Sequence, residues 1–318
     1  LAVVVALMSG GAGAEEAPTT FARLPGWAEE DHAAAFRAFR VFCPAVVSRR
    51  QPLTLGPADP AALVRACKMA LALPDGLDSD RARAFFERAF VPVRVGAPGE
   101  GFFTGYYEPE VLGLRTSDER FRYPLYAPPA DLVELPKAAN GLGAGLTHAR
   151  RGADGTFTPL PDRAAIDAGA LAGQGLELVW LADPVDVFFA HVQGSVRVRL
   201  PDGSVARYGF AGRNGHPYTA IGRVLIARGA FTREEMTAER LAAWLRAHPD
   251  EAPAVMAANP SYIFFRPVDD VGPAAGPVGA LGVPLVAGRS AAVDPKEHPL
   301  GVPIYVDAAL PPSEDAAP

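Results

Sequence analysis

Val196-Arg-Val-Arg-Leu-Pro-Asp-Gly-Ser-Val-Ala-Arg-Tyr-Gly-Phe210 carries two alternating runs on either side of Pro201-Asp202-Gly203. Strand side chains point to opposite faces in turn, so Val196, Val198 and Leu200 share one face and Arg197 and Arg199 the other, while Asp-Gly supplies the turn. The stretch predicts a β-hairpin with Arg197, Arg199 and Arg207 on its wet face. Outward from it, the chain after Pro92 keeps one texture: short apolar runs punctuated by Gly and Pro, the pattern of an all-β barrel or sandwich. Tyr262-Ile-Phe-Phe265, Ala291-Ala-Val-Asp294 and Ile304-Tyr-Val306 read as further strands, and Gly272 to Gly288 as a Gly/Pro-rich loop. Residues Leu132 to Asp167 read as a surface excursion. Gly141-Leu-Gly-Ala-Gly145 and Gly152-Ala-Asp-Gly155 within it follow no strand and open no helix, unlike a nucleotide-binding glycine loop. Thr232-Arg-Glu-Glu235 is a capping box and Thr237 a cap for the turn of helix around Leu241, Trp244 and Leu245. A small helical insert therefore interrupts the strands, and Asn259-Pro260 ends it.

Before Pro92 the period changes. Asp31 is placed to cap a helix carrying Phe36, Phe39 and Cys43 on one face. Asp59-Pro60 opens a second with Leu63, Cys67 and Leu71, and Asp78 a third with Phe85, Phe86 and Phe90. The expected fold is thus mostly β with a helical N-terminal region. At 318 residues, 49% hydrophobic and 21% charged, two packed domains are expected. Leu1-Ala-Val-Val-Val-Ala-Leu-Met8 followed by Ala12-Gly13-Ala14 reads as a signal-peptide remnant over residues 1–14, clipped at its start. No stretch has the ~18 apolar residues of a membrane helix, and no Cys stands at the cleavage point. An exported protein, periplasmic or outer-membrane associated, is expected. In an oxidising compartment Cys43 and Cys67, the two cysteines of the chain, read as a disulfide, with two buried thiols as the alternative.

Thirty basic against 36 acidic residues give a net charge of −6 with no Lys/Arg-rich run, which argues against nucleic acid as a partner. The six histidines, at 32, 148, 191, 216, 248 and 298, form no HExxH and no metal-ligand spacing, and no G-x-S-x-G elbow occurs. Aromatic residues set among polar and Gly positions stand out instead, in Gly101-Phe-Phe-Thr-Gly-Tyr-Tyr-Glu-Pro109, Tyr123-Pro-Leu-Tyr126 and Asn259-Pro-Ser-Tyr-Ile-Phe-Phe265. Sugars present apolar C–H faces and hydroxyl rims, so such rings with flanking Thr, Asn and Gln suit an extended glycan. Gln193-Gly194-Ser195 before the hairpin and Ala211-Gly-Arg-Asn-Gly-His-Pro-Tyr-Thr219 after it read as binding loops.

Six ordered segments together resemble the membrane-bound lytic murein transglycosylase A (MltA) family. They are Thr104-Gly-Tyr-Tyr-Glu-Pro109, Asp183-Pro-Val-Asp-Val-Phe-Phe189, His191-Val-Gln-Gly-Ser195, Phe210-Ala-Gly-Arg-Asn-Gly-His-Pro-Tyr218, Ile221-Gly-Arg-Val-Leu225 and Asn259-Pro-Ser-Tyr-Ile-Phe-Phe265. The resemblance implies a double-psi β-barrel domain over residues 15–107 and 268–318, incomplete here, with a second β-barrel over 108–267 inserted into it. It further implies a cleft holding a peptidoglycan strand, lined by Thr104, Tyr106, Tyr107, Gln193, Gly194, Ser195, Asn214, Tyr218, Tyr262 and Phe265. The implied reaction cleaves the bond between N-acetylmuramic acid and N-acetylglucosamine and closes a 1,6-anhydro ring, with no metal or organic cofactor and a monomeric protein. One Asp serves as acid and then base, so the two-carboxylate spacing of glycosidases does not apply.

Of the family's three marked Asp positions, Ala291-Ala-Val-Asp294-Pro matches the first. The acid/base is the third, expected beyond Pro318, and Asp294 is expected to tie a loop structurally. Glu108 and Glu110 are the in-chain carboxylates that could substitute. The alternative to a lytic transglycosylase is therefore a non-catalytic murein-binding protein, and a third reading is a glycoside hydrolase using Glu108 or Asp294 with water. Missing barrel strands would also expose sheet edges and loosen the chain from Val271 onward.

Overall fold

A computed structural model describes residues 3–4, 19–48, 60–94, 107–136, 145–269, 272, 275–293 and 298–307. In chain order the elements are β1 (Val3–Val4), α1 (His32–Ser48), α2 (Pro60–Leu71), α3 (Ser79–Ala89), β2 (Glu110–Leu114), β3 (Tyr123–Tyr126), β4 (Leu132–Glu134), β5 (His148–Arg151), β6 (Phe157–Thr158), α4 (Arg163–Asp167), β7 (Glu177–Leu181), α5 (Pro184–Gln193), β8 (Ser195–Arg199), β9 (Val205–Arg213), α6 (Ile221–Ala227), α7 (Ala238–Ala247), α8 (Ala252–Ala257), β10 (Ile263–Pro267) and β11 (Ile304–Tyr305). They fall into two compact units, Leu1–Tyr106 with Ala274–Pro318, and Tyr107–Pro273.

The first unit is the expected helical region. Asp31 caps α1 through Ala34 N–H at 2.9 Å, and Asp78 caps α3 through Arg81 N–H at 2.8 Å. The faces read from the sequence are the ones buried: Phe36, Phe39, Phe85, Phe86 and Phe90 form one cluster with Leu63 and Trp27. Trp27 keeps its indole N–H satisfied by Glu87 Oε1 at 2.9 Å, as a buried indole must. Arg40 reaches from α1 to the carbonyl oxygens of Ala70 and Leu73 at the end of α2, groups no helix can satisfy internally, and pairs with Asp75 at 2.6 Å. One turn away the Cys43–Cys67 disulfide joins the same two helices. Val302 and Tyr305 return to this cluster, Tyr305 packing edge-on to Trp27 at 5.6 Å between ring centroids.

The second unit is built on a six-stranded sheet of order β10-β9-β8-β2-β7-β3. The hairpin forms as read, pairing Val196 with Tyr208 and Val198 with Ala206. Strand β2 runs parallel to β8 and antiparallel to β7. The sheet curls: edge residues Leu125 of β3 and Phe265 of β10 share a core with Val179, Val196 and Val198, and Tyr126 of β3 meets Tyr262 ahead of β10. Helix α5 is buried on two sides. Val187 and Ala190 face the sheet core, whereas Val185, Phe188 and Phe189 face α6, α7 and α8.

Three expectations are corrected. Leu132 to Asp167 is no simple excursion, because β4, β5 and β6 form an antiparallel sheet whose β5–β6 turn is Gly152–Gly155, closed by Gly152 N–H to Thr156 O at 2.8 Å. Asp154-Gly155 carried that hairpin signal. Ala291 to Val293 forms no strand, having no partner strand among the described residues; Asp294 lies outside them. Arg207 is not on a wet face: its side chain is 8% exposed and paired with Glu108 at 3.0 Å.

The disulfide spans a sequence separation of 24, for which loop-closure entropy gives about 3 kcal/mol. Replacing both cysteines by serine should lower the unfolding free energy of the helical unit by about that amount. Urea titration of the variant under oxidising conditions measures it, and an unchanged midpoint would refute the stapling role.

Candidate functional site

The binding loops start at the junction of α5 and β8. Asp183 caps α5 through Val185 N–H at 2.9 Å, with Pro184 in the first turn where its missing N–H costs nothing. Gly194 ends it at φ 73°, a left-handed conformation that glycine adopts without strain, and its N–H closes on Ala190 O at 2.8 Å. Gln193, Gly194 and Ser195 are thus the turn from helix to strand. Pro109 O accepts Arg197 N–H at 2.8 Å, which lays Tyr107 and Glu108 beside that turn. Glu108 is 7% exposed, bonds Arg207, and keeps Oε1 buried with no hydrogen-bond partner. Burial pushes its carboxyl above the usual range, against the pull of Arg207, Arg197 and Ser195.

A second group of residues converges on Arg163, which is buried. Its Nε donates to Asn259 O at 3.0 Å and its Nη2 to Ser261 O at 2.8 Å, while Nη1 lies 3.1 Å from His191 Nδ1. The guanidinium also sits over the rings of Phe188 and Tyr262, at 4.8 and 5.1 Å from their centroids. His191 packs between Tyr262, at 4.1 Å, and Phe265, at 5.6 Å. Asn214, with no exposed surface, donates to Pro161 O and Pro260 O and accepts from Tyr262 N–H at 2.9 Å. Asn259 Oδ1 accepts from Thr219 N–H at 3.0 Å and Ser261 N–H at 3.3 Å. Gly215, at φ 86°, lies so close to β5 that a Cβ there would stand 2.4 Å from His148 N.

The structure divides the residues singled out from the sequence. Tyr107 is 50% exposed and Tyr218 61%, and Gln193 and Gly194 are half-buried. Ser195, Asn214, Tyr262 and Phe265 are buried. Asn214, Tyr262 and Phe265 belong to the Arg163 network, with Tyr218 at its edge; Ser195 and Tyr107 adjoin Glu108. Thr104 and Tyr106 lie outside the described residues, as does Asp294. Glu110 is taken up by Arg197 and Arg199. Arg163, His191 and Asn259 are the residues that sequence reasoning missed as the centre of the network. Asn-Pro after a helix was the available signal for Asn259; Arg163 had none. Among the described residues no three His, Cys, Asp or Glu are grouped to hold a metal ion, and no helix is long and apolar enough to cross a membrane.

A family model described as the MltA specific insert domain matches residues 102–266. Membrane-bound lytic murein transglycosylase A of Vibrio cholerae is 36% identical over 216 residues, 67% of this chain and 50% of its own length. The Escherichia coli protein of the same name is 35% identical over 211 residues, 65% of this chain and 49% of its own. The chain thus spans about half the length of these curated relatives. Among solved structures, a membrane-bound lytic murein transglycosylase from Agrobacterium tumefaciens superposes with a TM-score of 0.79 at 36% identity, covering 89% of this chain and 77% of that one. E. coli MltA with bound chitohexaose superposes with a TM-score of 0.54 at 27% identity, covering 89% of this chain and 70% of that one.

Burial, and then the adjacent Arg163 charge, hold His191 well below its ordinary value of 6.5. The folded protein keeps this imidazole neutral while the unfolded chain takes up a proton, so the stability it lends is present above pH 6.5 and is lost as pH falls below it. His191→Gln should flatten the loss between pH 6.5 and 5 by up to about 1.4 kcal/mol per pH unit. Unfolding titrations of both proteins across that range measure it; parallel curves would contradict it.

Proposed function

The chain belongs to the MltA family, and on that premise we propose that it is a peptidoglycan lytic transglycosylase of the cell envelope. It would cleave the bond between N-acetylmuramic acid and N-acetylglucosamine and leave a 1,6-anhydromuramoyl end. The observation that carries the reading is the likeness, over 89% of the chain, to an E. coli enzyme whose structure holds chitohexaose, a chain of N-acetylhexosamines. In this reading Tyr107 and Tyr218 offer exposed rings to sugar faces, and Gln193 offers its amide to hydroxyl and acetamido groups. The buried set of Asn214, Tyr262 and Phe265 acts one layer down, holding the loops at fixed height. The Tyr107–Pro273 unit would be the inserted domain and the helical unit part of the double-psi barrel domain. Export to the periplasm, with association to the outer membrane, completes the proposal; the relatives' names call them membrane-bound.

Incubation of the protein, expressed from its whole open reading frame, with purified murein sacculi should release anhydromuropeptides, identified by mass spectrometry about 18 Da lighter than their reducing-end counterparts. Reducing ends in their place would point to hydrolysis by water. Chitohexaose binding with no cleaved product of either kind would leave a glycan-binding protein and overturn the transglycosylase reading.

The two layers are separable. Tyr107→Ala and Tyr218→Ala should each weaken chitohexaose binding by roughly threefold to tenfold at unchanged melting temperature. Asn214→Ala strands Tyr262 N–H and two carbonyls and should cost on the order of 3 kcal/mol in stability. Calorimetric binding and thermal melts on the three variants distinguish the layers, and a stable Asn214→Ala protein with lost binding would reverse the assignment.

A further inference from the structure

Within the second unit, where β4 and β5 lie beside the end of β9, an open cavity of about 350 Å3 is lined by Leu132, Glu134, His148, Phe210 and Arg213. Leu132 and Phe210, the latter 46% exposed, give it apolar surface, with the Arg213 guanidinium 5.7 Å from the Phe210 ring centroid. Arg213 and Glu134 are both exposed, and neither is ion-paired with another described residue. Burial, and then Arg213, hold His148 below its ordinary pKa, so near neutrality it offers the cavity a hydrogen bond and no charge. Thr147 Oγ1 occupies its Nδ1 side at 2.9 Å. The wall is fixed by the Gly215 contact with β5 and by Thr147 N–H to Gly215 O at 3.0 Å.

An N-acetylhexosamine chain is uncharged and has no group to answer an exposed cation and an exposed carboxylate in one cavity. A peptide bearing both a carboxylate and an ammonium has, and an aliphatic stem between them can lie on Leu132 and Phe210. We infer that this cavity binds the peptide stem of peptidoglycan, Arg213 taking a stem carboxylate and Glu134 the free ammonium of its diamino acid. The inference rests on the peptidoglycan reading above and adds to it a site that recognises peptide, separate in chemistry from the stacking surface for sugar.

Calorimetric titration of the protein with the synthetic stem N-acetyl-L-Ala-γ-D-Glu-meso-diaminopimelate-D-Ala, whose one free amine is that of the diaminopimelate, with the same stem acetylated on that amine, and with chitohexaose tests it. The free stem should bind, and Arg213→Ala should weaken it about tenfold or more. Acetylation should weaken binding to the parent protein and leave binding to Glu134→Gln unaffected, since the group it removes has no partner there. Chitohexaose affinity should be the same in both variants. No binding of the free stem, or equal binding by Arg213→Ala, overturns the peptide site. Stem binding with no chitohexaose binding would instead sink the glycan reading while the cavity's chemistry stands.

Discussion

The Arg163 guanidinium is buried among two carbonyl oxygens, an imidazole nitrogen and two aromatic rings. Taking a full charge out of water costs several kcal/mol, and here dipoles and ring faces offset it in place of a directly bonded carboxylate. Dipolar partners offset a charge only when all are in place, so the arginine fixes three otherwise separate pieces of chain at once: α4, which carries it, α5, which carries His191 and Phe188, and the Asn259–Tyr262 segment leading into β10. Burial, and then the same charge, hold the His191 pKa well below its ordinary value. The network therefore carries its own acid weakness.

That constraint explains why the motif residues part into two layers. Asn214 and Asn259 spend their amides on backbone groups of non-repetitive segments, which sheet and helix ladders do not reach and which would otherwise be buried unpaired. His191 packs against Tyr262 and Phe265 in the same network. Tyr107 and Tyr218, on segments outside helix and strand, keep exposed rings, and Gln193, the last residue of α5, stays half-buried.

Legibility in the sequence followed how local the cause was. The caps at Asp31, Asp78 and Thr237 and the Asp-Gly turn of the hairpin act over two or three residues and could be read directly. The Thr232–Glu235 box also forms, Thr232 N–H bonding Glu235 Oε2 at 2.9 Å and Glu235 N–H returning to Thr232 Oγ1. Helix α5 was not foreseen as a helix because it is buried on two sides: Val185, Val187, Phe188 and Phe189 leave no polar stripe, so its apolar run has no 3.6-residue period. The β4-β5-β6 sheet was missed because its strands are two to four residues long and too short to show alternation. Arg163 was illegible for a different reason, since its hydrogen-bond partners lie 28 to 98 positions away and no local pattern marks a buried cation.

The misplacement of Arg207 has the most structural content. Alternation assigns the hairpin's arginines correctly to one face, and the register sets Arg197 directly opposite Arg207 with Arg199 next along the strand. Like charges facing each other across a pair of strands repel, so the hairpin is unfavourable on that face without acids. Strand β2 and the residues entering it supply them: Glu110 lies opposite Arg197 in the parallel register and bonds Arg197 and Arg199, and Glu108 bonds Arg207. Glu108 stays the strained member, with Oε1 unpartnered and its carboxyl pushed up by burial. The three arginines thus select the Glu108-Pro-Glu110 segment as their neighbour, and Tyr107, the residue before it, is carried by that electrostatic match to the side of Gln193 and Ser195.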